Sequence, residues 1–81
     1  MSQALKKPTA EELAILSLTI GIDNITAGIS DGRIISIPIA WFPRLSNATE
    51  SELKNFEISP TGYGIHWPDV DEDISIKAFL F

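Results

Sequence analysis

Cysteine is absent from the 81 residues, which excludes disulfides, thiolate nucleophiles and sulfur-ligated zinc or iron–sulfur centres together. Histidine occurs once, at position 66. A structural zinc site needs four ligands with more than one soft or nitrogen donor, and a single histidine leaves little room for a Ser–His–acid triad. Cations are scarce as well: six Lys and Arg face eleven Asp and Glu, for a net charge of −5, and the only adjacent pair is Lys6-Lys7. A duplex-binding domain neutralises several phosphates with clustered cations, so direct nucleic-acid binding is not expected. Long apolar runs are missing too. The stretch Leu13 to Ile22 is interrupted by Ser17 and Thr19 and preceded by Glu11 and Glu12. It falls well short of the ~20 residues of a membrane span and lacks a cleavage pattern. A cytoplasmic chain without membrane association is expected. The triplets Asn24-Ile25-Thr26 and Asn47-Ala48-Thr49 are then accidents of composition, not glycosylation sites.

What the chain does have is isoleucine: 13 of its 36 apolar residues, against 7 Leu and 7 Ala. Branching at Cβ favours a pleated strand over a helix, and the length suits one core. The chain reads as a flexible arm over 1–9 and a single α+β domain over 10–81, an antiparallel meander with one short helix packed on it. Leu16, Leu18, Ile20 and Ile22 fall on alternate positions and predict a half-buried strand. A turn at Asp23-Asn24 leads to Ile25, Ala27 and Ile29 in a second strand, and Asp31-Gly32 suits a tight hairpin. A third strand begins at Arg33, with Ile35, Ile37 and Ile39 on one face and Pro38 placing its end at an edge or bulge. Trp41-Phe42-Pro43 ends the meander. Thr49 with Glu52 forms a capping box for a helix of about two turns, which docks through Leu53 and Phe56. Glu57-Ile58-Ser59 returns to extended backbone before Pro60-Thr61-Gly62 breaks the chain. Near the end, Ile74 and Ile76 alternate as in a strand, while Asp73 before an apolar run equally suits the cap of a terminal helical turn. No internal repeat or linker divides the chain.

Chemistry-bearing residues concentrate in two segments. Trp41-Phe42 and Tyr63 to Trp67 hold both tryptophans and the only tyrosine, and each is closed by a proline. Large rings serve first to fill a core between helix and sheet; an aromatic patch at an interface is the alternative. Between them, Arg44 is placed to pair with the acidic loop and hold the segments side by side. That loop, Asp69, Asp71, Glu72 and Asp73, puts four acids into five positions. It lacks the glycine bend and final bidentate glutamate of a calcium-binding EF-hand, so it reads as a solvated loop or as a docking surface for a basic partner. His66 is spaced to approach Asp69 and Asp71 around a cation, but packing beside Trp67 with a hydrogen bond to a carbonyl or carboxylate is the simpler role. Gly62-Tyr63-Gly64 lacks the lysine and hydroxyl of a phosphate loop. An exposed run of acids does not make the poised carboxylate pair that acid–base catalysis requires. Neither a cofactor nor an enzymatic activity is expected.

Several stretches resemble the bacterial domain of unknown function 2442 family: Asp31-Gly32-Arg33 with Ile35-Ser36-Ile37-Pro38, Ala40-Trp41-Phe42-Pro43-Arg44-Leu45, Asn47-Ala48-Thr49, and above all Gly64-Ile65-His66-Trp67-Pro68-Asp69 with Asp71-Glu72-Asp73-Ile74-Ser75. They span roughly residues 13 to 80. The resemblance implies a small α+β fold, a meander with one packed helix, and no established enzymatic activity. It also implies a domain that stands alone or precedes a helix-turn-helix domain, the stand-alone form often being encoded beside another small protein in an arrangement that suggests a toxin–antitoxin-like pair. Nothing resembling a helix-turn-helix segment is read in these residues, so the stand-alone form is the expectation. The reading that follows is a non-enzymatic interaction module, antitoxin-like, that binds a small protein partner. Its candidate contact residues are Trp41, Arg44, Tyr63, His66, Trp67, Asp69, Asp71, Glu72 and Asp73. The alternative is a regulatory domain that senses a small ligand or cation near His66 and Trp67. If Phe79, Leu80 and Phe81 do not fold back on the sheet, their apolar surface would also favour a homodimer.

Overall fold

The computed structural model describes residues 12–80; the arm expected over 1–9 lies outside them. The first half builds three strands, β1 (Ile15–Ile20), β2 (Asn24–Ile29) and β3 (Ile34–Pro38), into an antiparallel sheet of order β1-β2-β3. Alternation does the sorting: Ile25, Ala27 and Ile29 of β2 point into the core, while Asn24, Thr26 and Gly28 face outward. Gly32, at φ 99°, supplies the left-handed residue of the β2–β3 turn that an L side chain adopts only with strain.

The expected β1 pattern holds only in part. Ile15 pairs with Ile29 and Ser17 with Gly28, so two residues on β1 oppose one on β2, and Leu16 is the extra residue of a β-bulge. A bulge shifts the side-chain alternation by one position. Ile15 therefore reaches the core at 2% exposure, Leu16 is left 67% exposed, and Leu18 and Ile20 return inward half-buried. Ile22 is not a strand residue; it sits in the β1–β2 turn, almost wholly exposed.

After β3 the chain tightens into a 3₁₀ turn (Ile39–Trp41) and two short helices, α1 (Pro43–Ser46) and α2 (Glu50–Lys54). Pro43 opens α1 at the position where the missing N–H costs nothing. The capping box on α2 is present in both directions: the Thr49 side chain accepts from the Glu52 amide at 3.1 Å, and the Glu52 carboxylate accepts from the Thr49 amide at 2.9 Å. The helix is five residues long, shorter than the two turns expected, so Leu53 packs on the core from α2 whereas Phe56 does so from beyond its end.

The last third forms a second meander: β4 (Glu57–Ile58), β5 (Gly64–Trp67) and β6 (Glu72–Ser75), antiparallel in the order β4-β5-β6. The α+β class and the antiparallel meander are therefore as expected, with a second sheet and two further helices added. These strands are two to four residues long, too short for alternation to declare them before pairing does. The two alternatives for the terminus both occur in succession. Ile74 lies in β6, and α3 (Lys77–Leu80) follows. Phe79 is buried at 4% and Leu80 is half-buried against the core. The tail thus folds back as far as it is described, and the exposed apolar terminus on which a homodimer would rest is not formed by Phe79 and Leu80.

Inward residues of both sheets meet in one cluster: Ile15, Ile25, Ala27, Ile29 and Ile37 from the first, Ile65, Trp67 and Ile74 from the second, with Leu45, Ile76 and Phe79. Each fully buried aliphatic side chain contributes about 1.5–3 kcal/mol relative to exposure. The sheets are stitched through the turn before β5, where the Ile15 amide donates to the Gly62 carbonyl at 2.7 Å. Gly62 is required twice over. Its φ is +75°, and a Cβ there would lie 2.6 Å from the Ala14 Cβ.

Candidate binding surface

The two tryptophans take opposite roles. Trp67 alternates with His66 along β5, so it points inward; it is 0% exposed, its ring lies 6.3 Å from that of Phe56, and its indole N–H donates to the Leu53 carbonyl at 2.9 Å. Trp67 therefore offers no surface to a partner, and its place among the contact candidates is corrected: in a short strand the face is set by the neighbouring ladder, and Ile65 and Trp67 share the face that meets the core. Trp41, at the end of the 3₁₀ turn, is 60% exposed. Tyr63, just before β5, is 38% exposed.

Arg44 does join the two aromatic segments, through backbone rather than a carboxylate. Its Nη1 donates to the Asp71 carbonyl at 2.5 Å. Asp71 occupies the left-handed region at φ 53° in the β5–β6 turn, a conformation that Asp tolerates better than most residues. The clamp ties α1 to the acidic loop, in which Asp69, Asp71 and Asp73 are exposed and Glu72 is half-buried. Among the described residues no Lys or Arg forms an ion pair with Asp69, Asp71, Glu72 or Asp73. Asp69 instead accepts from the Asn55 side-chain amide at 2.9 Å, and Glu72 accepts from the Asp73 amide at 3.3 Å.

His66 turns to neither Asp69 nor Asp71. Its Nδ1 lies 2.8 Å from Asp73 Oδ1, its cross-strand neighbour on β6. On the other side of His66 stands Glu57, its register partner on β4. Directly paired residues point to the same side of a sheet, so Glu57, His66 and Asp73 form one row across the outer face of the second sheet. Ser59, Gly64 and Ser75 form the next, through the Ser59–Gly64 hydrogen bond and the Gly64–Ser75 pairing. Around these rows lies an open cleft of about 540 Å³, rimmed by Pro60, Thr61 and Tyr63. Among the described residues no three His, Cys, Asp or Glu side chains are grouped to hold a metal ion.

Of the candidates named from sequence, the fold thus brings Tyr63, His66 and Asp73 to one cleft and ties Arg44 to the acidic loop at the β5–β6 turn. Sequence reasoning missed Glu57, Ser59 and Ser75. Their signal was the polar-apolar-polar spacing of Glu57-Ile58-Ser59 and Asp73-Ile74-Ser75, which would have put all four flanking polar residues on one face had both been read as neighbours of β5.

Two three-stranded antiparallel meanders with short helices over a shared core define a small mixed α+β domain. Its fold is shared by a crystal structure of a protein of unknown function from Rhodospirillum rubrum ATCC 11170, with a TM-score of 0.74 at 22% identity over 85% of this chain and 86% of that one. The chain matches the family described as "Protein of unknown function (DUF2442)" over residues 15–81, and it belongs to that family. No curated protein matches it. Among the described residues no helix is long and apolar enough to cross a membrane.

Proposed function

We propose that the domain is a non-enzymatic protein-interaction module that docks a basic segment of a small protein partner against Trp41 and the acidic loop. The observation that carries this reading is the Arg44 clamp: by donating to the Asp71 carbonyl, it ties the helix that follows the 60% exposed Trp41 to a loop whose acids form no ion pair with Lys or Arg among the described residues. An exposed tryptophan supplies the large, rigid contact area typical of interface hot spots. Uncompensated carboxylates steer a cationic partner and fix its orientation more than they add affinity. An antitoxin-like role is the specific form of this reading, in which the acids cover the basic face of a small toxin.

The test is co-expression with the product of the adjacent gene, followed by pull-down with two variants. Trp41→Ala should weaken capture by at least about tenfold, the loss typical of an aromatic hot spot. The triple change Asp69→Asn, Asp71→Asn and Glu72→Gln should slow association and flatten its salt dependence. Capture of the partner at wild-type strength by both variants would rule out this surface.

A further inference from the structure

The cleft on the outer face of the second sheet has a distinctive hydrogen-bonding character: its exposed polar row consists of acceptors. A carboxylate only accepts, so the His66 nitrogen facing Asp73, Nδ1, is assigned the hydrogen of that 2.8 Å contact. In the neutral ring Nε2 then carries a lone pair. Glu57 stands on the other side of His66, and its carboxylate makes no hydrogen bond or ion pair among the described residues. The row therefore offers the Glu57 carboxylate, His66 Nε2 and the second oxygen of Asp73, all waiting for donors. No Lys or Arg lines the cleft.

One row away the floor is bare. Gly64 sits between Ser59 and Ser75 without a side chain, and a Cβ there would press to 3.1 Å on the Ile74 carbonyl. The Ser59 hydroxyl is occupied as acceptor for the Tyr63 and Gly64 amides, at 3.0 and 3.2 Å. The two rows lie about 7 Å apart, two residues along a strand. Pro60 and the half-exposed Tyr63 wall the hollow at that end. Acceptors at one end and a glycine floor with an aromatic rim at the other fit a cationic donor on an aliphatic stem.

We propose that this cleft binds a guanidinium group carried on a short aliphatic chain. Guanidinium has five N–H donors in a planar fork and no acceptor, the complement of a flat row with acceptors on adjacent strands about 4.8 Å apart. An ammonium group concentrates its donors at one point and spans such a row less well. The ligand is either a free alkylguanidinium or the arginine side chain of a protein. The cleft shares only Asp73 with the acidic loop, so its assignment stands apart from the docking surface proposed above, and the loop variants used there leave Glu57, His66 and Asp73 unchanged.

The experiment is a titration of the full chain, followed by amide and imidazole nuclear magnetic resonance. The probes are butylguanidinium and a capped Gly-Arg-Gly peptide; butylurea and the citrulline peptide are their neutral isosteres. Both cations should produce saturable shifts at Gly64, His66 and Asp73, with dissociation constants in the range of about 1–20 mM, and the isosteres should not. Glu57→Gln removes a charge from an exposed strand position and should weaken binding about fivefold, one charge-assisted contact at an exposed site. Tighter binding of the peptide assigns the arginine side chain as the source; equal binding assigns the free cation. Equal shifts from the urea isosteres, no saturation with either cation, or unchanged affinity in a folded Glu57→Gln chain would overturn the assignment.

Discussion

The two sheets meet the same core with the same inward alternation, yet their outer faces share almost nothing. On the first sheet the outward residues are Ser17 and Thr19 of β1, Asn24, Thr26 and Gly28 of β2, and Ile34, Ser36 and Pro38 of β3. None is charged, and the Thr26 and Ser36 hydroxyls bond to each other at 2.6 Å. The second sheet presents Glu57, His66 and Asp73 around a glycine hollow. Core packing constrains one face of a strand and leaves the other free, so the difference marks where this chain has spent its chemistry. The sheets also hold together differently. Strands of five and six residues let the first rely on its ladder, whereas the second, with strands of two to four, leans on the buried indole of Trp67 and on the Gly62 junction.

The largest break in that comparison should come from Trp67→Ala. The side chain fills the centre of the second sheet's inner face, contacts Phe56 and holds the Leu53 carbonyl, so its loss should cost about 3–5 kcal/mol. Trp41→Ala, at an exposed position, should change stability by less than about 0.5 kcal/mol. Urea unfolding followed by circular dichroism separates the two, and equal midpoints would contradict the division of roles between the tryptophans.

Next in size is the junction. Gly62→Ala forces a left-handed backbone on an L residue and drives a Cβ against Ala14, and should cost about 1–3 kcal/mol. Amide hydrogen exchange sharpens the result: protection should fall first at the Ile15 amide, which donates to Gly62, and across β5 before β2. Uniform loss over both sheets would mean that the second has no separate dependence on this turn.

The smallest effect belongs to the first sheet's hairpin. The Arg33 backbone N–H, bonded to Asp31 at 3.1 Å, holds the Asp31 carboxyl below the ordinary carboxylate value, and the Arg33 guanidinium at 2.7 Å adds to it. A depressed folded-state pKa contributes stability above the unfolded value near 3.8, and this is lost as pH falls through the lower folded value. Asp31→Asn should therefore be slightly less stable than the parent chain at neutral pH, and the gap should close in acid. Denaturation midpoints at neutral pH and below the carboxylate range measure it. A gap that stays constant would show that the turn, not the charge, is responsible.

Much of the first sheet was legible because its strands are long enough to alternate and its turns carry Asp-Asn and Asp-Gly. The capping box announced α2 for the same reason: Thr49 and Glu52 satisfy each other's backbone locally. Leu16 was misplaced because a bulge is a property of two strands, visible only when Ile15 and Ser17 are matched against Ile29 and Gly28. The second sheet escaped because β4 offers two residues and β5 four. The contact candidates are scattered in place: Tyr63, His66 and Asp73 converge on one cleft, whereas Trp67 belongs to the core.

The sequence by itself determined what this chain is made to bury and what it lacks: isoleucines at strand spacing, a capped helix, an acidic surface, no cysteine and a single imidazole. These follow from local rules, in which a residue's neighbours in the chain decide its conformation. Only the tertiary structure decided which side of each short strand faces water, and hence that Glu57 and Asp73, sixteen positions apart in number, flank His66 while Trp67 beside it vanishes inward. Strand pairing sets that outcome, because the face a side chain takes in a sheet depends on a partner strand elsewhere in the sequence.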